Sequence, residues 1–263
     1  MWGLPKVIGL AKPMYRLKNI DFLEQLLFSS SSLQQLEIDG FCITSKMAAS
    51  ICKNGKTLQV LNLNCRSDLI YYTDTILNYT DYYNQVHLLE SVPNGNFQAI
   101  IKHCQELKEV DLTNVNDNPQ LMDDDLEFFI ENISPNIVRL NLSNQNVNDD
   151  HVKILLNRCN KIKVLNLFYT LITNVSLKTI RQYSSLTLEE LSVDHRETHI
   201  FVDFLELKKM PRLKILNLYV TKEDAYKIHY LRQHLPRLII RTIFIDNSGE
   251  ILSDLNLIHE ELD

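Results

Sequence analysis

The chain has 263 residues, of which 45% are apolar and 23% charged, and its 27 basic and 33 acidic residues leave a formal net charge of −6. These shares are those of a soluble folded protein and exclude wholesale disorder. Apolar runs of a few residues are too short to cross a bilayer, and Met1–Leu17, broken by Pro5, Lys6, Lys12 and Pro13, lacks an apolar stretch of signal-peptide length.

Along the chain, apolar residues recur in one spacing. It runs Leu33-Leu36-Ile38, Leu58-Leu61-Leu63, Leu107-Val110-Leu112 and Ile137-Leu140-Leu142. It continues as Ile162-Leu165-Leu167, Leu188-Leu191-Val193, Leu213-Leu216-Leu218 and Leu235-Leu238-Ile240. The interval from 58 to 107 is double the others, and a weaker copy, Tyr83-Val86-Leu88, falls inside it. The nine starts then lie 25, 25, 24, 30, 25, 26, 25 and 22 residues apart. Each triplet predicts a short strand, and a helical spacing follows several of them. Phe97-Ile100-Ile101, Leu126-Phe129-Ile130, Val152-Leu155-Leu156 and Phe201-Phe204-Leu205 each line one helix face, and Ile20-Leu23-Leu27 reads as the helix of an opening unit. Acids in Asp123-Asp124-Asp125 and Asn148-Asp149-Asp150 suit helix starts.

A fixed period of 20–29 residues with the L-x-x-L-x-L skeleton identifies the leucine-rich repeat. The predicted fold class is therefore α/β, a leucine-rich repeat solenoid. Strands stack at about 4.8 Å while helices are about 10 Å wide, which bends the array into a horseshoe with a parallel sheet on the concave side and helices on the convex side. The predicted organisation is a partial opening repeat over 1–32, repeats over 33–245 and an acidic tail over 246–263. That tail holds six acids and no Lys or Arg, so residues 1–245 balance at 27 against 27.

Function must lie between the periodic leucines, which are core. Alternation along a strand turns the third, fifth, seventh and eighth positions of each copy to the concavity. In the early and middle copies these are polar and partly acidic. In the late copies they include Phe168, Tyr169 and Tyr219, with Val164, Ile215 and Val220 beside them. Clustered aromatics on an open face mark a contact surface. The candidate protein-binding set is Asn166, Phe168, Tyr169, Asp194, His195, Asn217 and Tyr219; a tail folded back over this face is the alternative. Asparagine recurs at the fifth position, at 62, 141, 166 and 217, and predicts a polar ladder.

Catalysis has little support. The eight histidines show no His-Glu-x-x-His spacing, no Gly-x-Ser-x-Gly is present, and Asp194-His195 has no nucleophile placed by a motif. No two of the six glycines lie close enough to cradle a phosphate. Five cysteines without a Cys-x-x-Cys pair suggest neither zinc nor redox chemistry; Cys104 and Cys159, each three residues before a triplet, read as small apolar residues of the helix-to-strand turn. No cofactor or metal is expected. The charge balance gives no compositional support for nucleic acid or membrane binding. Four Asn-x-Ser/Thr triplets, at 78, 132, 141 and 174, read as chance in a chain without a secretory signal, and reduced thiols fit the nucleus or cytoplasm.

The period near 25 and the segment Ile101-Lys102-His103-Cys104-Gln105-Glu106-Leu107 resemble the cysteine-containing class of leucine-rich repeats. Arg139-Leu140-Asn141-Leu142-Ser143, Met210-Pro211-Arg212-Leu213-Lys214-Ile215-Leu216 and Leu231-Arg232-Gln233-His234-Leu235-Pro236-Arg237-Leu238 are similar to units of F-box proteins of that class. The resemblance implies a non-catalytic receptor that holds a protein substrate on its concave face for an SCF-type ubiquitin ligase, with a Skp-type adaptor and a cullin as partners where an F-box is present upstream. The chain departs from that family in its short acidic tail and at two further points. The ninth repeat position, often Asn or Cys, is Phe41, Arg66, Ser91, Val115, Gln145, Thr170, Arg196 and Thr221, and residues 1–32 lack the F-box pattern apart from Leu4-Pro5. A regulatory or scaffold repeat protein without ligase attachment is the rival; a GTPase-activating repeat protein would use longer units of about 28–29 residues.

Overall fold

A computed structural model of the chain describes residues 6–10, 18–39, 43–64, 94–113, 121, 123–194, 204–221 and 225–245. Among these residues it is an α/β fold of nine parallel strands in chain order, and the chain divides into two compact units, Met1–Asn146 and Val147–Asp263.

The first unit holds β1 (Val7–Leu10), α1 (Lys18–Ser29), β2 (Gln35–Asp39), α2 (Ser45–Lys53), β3 (Val60–Asn64), α3 (Asn94–His103), β4 (Glu109–Asp111), α4 (Asp123–Asn132) and β5 (Arg139–Asn141). Its strands pair in unbroken order, with Ile8 beside Leu36, Leu36 beside Leu61, Leu61 beside Val110 and Val110 beside Leu140. The second unit holds α5 (Asp149–Arg158), β6 (Val164–Leu167), α6 (Asn174–Ser184), β7 (Glu190–Asp194), a 3-10 helix (Phe204–Lys209), β8 (Ile215–Thr221), α7 (Ala225–His234) and β9 (Ile239–Ile245). Leu165, Leu191, Leu216 and Ile240 stand in one row across it.

Alternation and helical spacing together explain the core. The strand leucines Leu36, Leu61, Leu140, Leu165, Leu191 and Leu216 are buried, and the residues between them in β4 and β5, Glu109 and Arg139, are exposed. The helices close over the strands with Leu23 and Leu27, Met47 and Ile51, Phe129 and Ile130, Leu155 and Leu156, and Leu177 and Ile180. Each such side chain contributes about 1.5–3 kcal/mol by leaving water. Phe97 and Phe129 meet between α3 and α4 at 6.0 Å between ring centroids.

Three expectations change. First, β3 and β4 are immediate neighbours, Val60 beside Glu109, so no strand from a copy at Tyr83-Val86-Leu88 stands between them; residues 65–93 lie outside those described. Among the described residues the ninth strand is β1, which pairs with β2. Second, the final triplet is displaced by two: Leu216 pairs with Ile240 and Leu218 with Thr242, so Ile240 occupies the place expected of Leu238. Third, Phe204 and Leu205 open a 3-10 helix of six residues rather than an α-helix, and Phe201 lies outside the described residues.

The turns are tied by polar contacts that recur unit by unit. Buried Asn54 accepts from the Leu33 amide at 3.0 Å and donates to the carbonyls of Ser30 and Ser50 at 3.1 and 2.9 Å. Ser134 Oγ donates to the Gln105 carbonyl at 2.7 Å. Gly55 sits where a Cβ would lie 2.5 Å from the His103 carbonyl oxygen, so only glycine fits that approach. Cys104 and Cys159 are fully buried at the ends of α3 and α5, as the turn reading expects. Burial pushes their thiols up to about 12 and about 11, which leaves them protonated and inert. At the ninth repeat position, Gln145 donates to the Leu112 carbonyl at 2.7 Å and accepts from the Leu121 amide, while Thr170 donates to the Leu167 carbonyl at 2.7 Å. An amide and a hydroxyl side chain thus bond the backbone at these two places.

The helix starts are linked as well. Thr44 caps α2 and donates to Glu24 of α1, and Gln98 of α3 donates to buried Asp125 of α4. Asp149, in the first turn of α5, accepts from the amides of Thr173 and Ser176 and from both hydroxyls at the start of α6. Burial alone would raise its pKa, but the Ser176 and Thr173 donors outweigh that and hold it below the usual carboxylate range. A depressed folded-state pKa stabilises above the unfolded pKa and loses that contribution as pH falls through the folded value. Asp149→Ala should lower stability by about 1–3 kcal/mol at neutral pH. Urea titrations of both proteins should show the gap narrowing below about pH 4; an equal gap at pH 7 and pH 3 would rule out the carboxylate as its source.

Candidate functional site

The unburied face of the second unit is built by alternation. Between the buried leucines, the register aligns Val164, Glu190, Ile215 and Ile239 in one row and Asn166, Ser192, Asn217 and Arg241 in the next. A third row places Asp194 beside Tyr219 and Tyr219 beside Ile243. Phe168 and Tyr169 follow directly on β6.

The predicted residues are partly brought together. Phe168 and Tyr169 are half-buried and their rings meet edge to face, with centroids 4.3 Å apart, a favourable geometry for an aromatic pair. Asp194 and Tyr219 are register partners on adjacent strands. His195 lies outside the described residues, so no Asp194–His195 dyad geometry is described. Val164 and Ile215, expected to be open, are half-buried.

The asparagines do not form one ladder. Asn166 Oδ1 accepts from the Phe168 amide at 3.0 Å, and Asn141 Oδ1 accepts from the Ser143 amide at 3.1 Å. Asp111 makes the same bond to the Thr113 amide at 2.9 Å. A side-chain oxygen two residues before an amide closes an Asx turn, so this position ends its own strand rather than joining the next. Asn217 differs: its amide donates to Glu190 Oε1 at 2.8 Å and Ser192 Oγ at 2.9 Å on the neighbouring strand. That cross-strand bond covers Ser192, which is buried instead of open.

The turn after β6 is conformationally special. Tyr169 has φ of 55° and Asn144, at the same place one copy earlier, has φ of 61°. Asparagine tolerates the left-handed region, whereas a bulky tyrosine there costs roughly 1–2 kcal/mol. The left-handed turn places the ring beside Phe168, and strain of this kind collects at functional positions.

Ile239 and Arg241 join this face from β9, beside Ile215 and Asn217, and were not among the residues named from sequence. Ile239 is 58% exposed and Arg241 is exposed and without an ion pair among the described residues. They extend the face with an apolar and a cationic group. Among the described residues no three His, Cys, Asp or Glu side chains converge where a metal could sit, and no helix is long and apolar enough to cross a membrane. The chain matches no family model and no curated protein.

Tyr169→Asn keeps a residue that accepts positive φ while removing the ring. Chemical denaturation should find this variant as stable as the parent or more stable by about 1 kcal/mol, with weaker partner capture. A large loss of stability would instead make Tyr169 a packing residue.

Proposed function

We propose that the chain is a non-catalytic, protein-binding leucine-rich repeat domain, a horseshoe with its sheet on the concave side. The observation that carries this reading is the face of the second unit, where the strained, paired aromatics Phe168 and Tyr169 border rows of small polar and apolar side chains. Such a surface offers contact area and hydrogen bonds to a protein, with aromatic anchors of the type that dominate interface energetics. The spacing of about 25 residues between most copies and the likeness of Met210–Leu216 and Leu231–Leu238 to units of S-phase kinase-associated protein 2 support a finer reading: selection of a protein substrate for an SCF-type ubiquitin ligase in the nucleus or cytoplasm.

A repeat scaffold without ligase attachment is the second reading, and one observation favours it. Val7–Leu10 and Lys18–Ser29 form a strand and a helix of the first unit, with Val7 paired to Gln35, so these residues are committed to the array and are not free to build an adaptor-docking three-helix box.

Two measurements test the proposal. Phe168→Ala with Tyr219→Ala should abolish partner capture while leaving circular dichroism unchanged, since a hot-spot aromatic contributes ~2 kcal/mol or more; undiminished capture, with the partner mapped to the helices, would sink the concave-face reading. Purified chain should not bind the Skp-type adaptor, yet should transfer its partner to the ligase once an F-box is fused ahead of Met1. Micromolar adaptor binding by residues 1–263 alone would reveal an adaptor site within the array.

A further inference from the structure

In-register parallel pairing brings every helix-to-strand turn of the second unit to the same edge of its strands. From the last helical residue to the residue before the next strand, these turns cover 158–163, 184–189, 209–214 and 234–238. They hold seven Lys or Arg residues (3 + 0 + 3 + 1) and one acid, Glu189. The corresponding turns of the first unit, 29–34, 53–59, 103–108 and 132–138, hold three basic residues (0 + 2 + 1 + 0) and one acid. The second unit is electrically neutral as a whole, with sixteen basic and sixteen acidic residues, so its charge is segregated rather than in excess.

The edge is not uniformly charged. Lys163 and Lys214 flank Glu189 at 3.3 and 2.6 Å, which cancels part of the central charge. Arg212 and Arg237 are exposed and make no ion pair among the described residues. Leu186, 75% exposed, stands in the turn before β7, between the turn that carries Lys163 and the turn that carries Arg212; it lies four residues before Glu190 as Pro211 lies four before Ile215, and Pro211 and Pro236 are exposed too. An apolar strip of Leu186, Pro211 and Pro236 beside the exposed Arg212 and Arg237 complements a chain that carries apolar and acidic residues together. It suits a nucleic acid poorly, because a phosphate backbone gains nothing from the apolar Leu186.

We propose that this edge of the second unit is a docking site for an acidic polypeptide segment bearing apolar side chains, separate from the aromatic face. Carboxylates pair with Arg212 and Arg237, and an apolar side chain covers Leu186. Exposed charges of this kind set attraction and specificity, and the apolar contact supplies retention.

Fluorescence anisotropy tests the assignment with three probes on the whole chain: a short labelled peptide of Glu and Leu, an all-Glu peptide of equal length, and an oligothymidylate of matched charge. The Glu/Leu peptide should bind tightest and lose affinity with added salt. Arg212→Glu with Arg237→Glu should weaken it about tenfold or more, and Leu186→Ser about fivefold, both with unchanged circular dichroism. Should the charge reversal disturb folding, Arg212→Gln with Arg237→Gln should give a smaller loss in the same direction. Equal or tighter binding of the oligothymidylate or the all-Glu peptide overturns the proposal, as does a Glu/Leu affinity indifferent to these substitutions.

Discussion

The structure depends on parallel pairing in a constant register. One strand and one helix leave an apolar face on each; only a neighbour of the same period covers both. Pairing Leu165 with Leu191 and Leu191 with Leu216 puts the next buried residues, Leu167, Val193 and Leu218, in line without further information. A shift of one residue would turn every leucine outward, so the register carries the cost of any error along each whole strand. The polar contacts obey the same rule. Asn54, Ser134 and Asp149 each bond to a neighbouring unit roughly one period away, and none of these bonds could form in an isolated repeat.

This explains which parts of the fold are legible in sequence. Buried positions are dictated by period, so eight triplets and four helices could be read from the spacing of apolar residues alone, and seven of those triplets keep their register. The misreadings come from places where period and pairing separate. Strand β1 was hidden because Val7-Ile8-Gly9-Leu10 is short and preceded by a proline, and a single copy ahead of the array has no regular spacing to announce it. The double interval between 58 and 107 invited an extra strand at 83, but a sheet needs only that the flanking strands meet, and Val60 meets Glu109 directly. In β9 the residues Ile239, Ile240, Ile243 and Ile245 leave more than one register apolar, and pairing chose the one displaced by two.

The candidate site was less legible for a related reason. Residue type predicted that Asn166 and Asn217 share a role, yet one closes a turn and the other bridges strands. Which of these occurs depends on what the neighbouring strand offers: Glu190 and Ser192 provide acceptors next to Asn217, whereas the Phe168 amide is the acceptable donor for Asn166. The left-handed backbone of Tyr169 has no sequence signature at all, since tyrosine is the wrong residue to announce it. Its counterpart Asn144 is the right one, and comparing the two copies exposes the exception.

Cys104 and Cys159 close equivalent turns, one in each compact unit, and both sulfurs are sealed from water with thiols that resist ionisation. A thiol of this kind reacts with an alkylating reagent only in moments when its turn opens. The molecule therefore carries two internal clocks, one per unit, ticking at the rate of local opening. Where the two clocks keep the same time, the units open together; where they differ, each unit unlocks on its own schedule, and the repeat array has a seam in its dynamics that its regular sequence does not display.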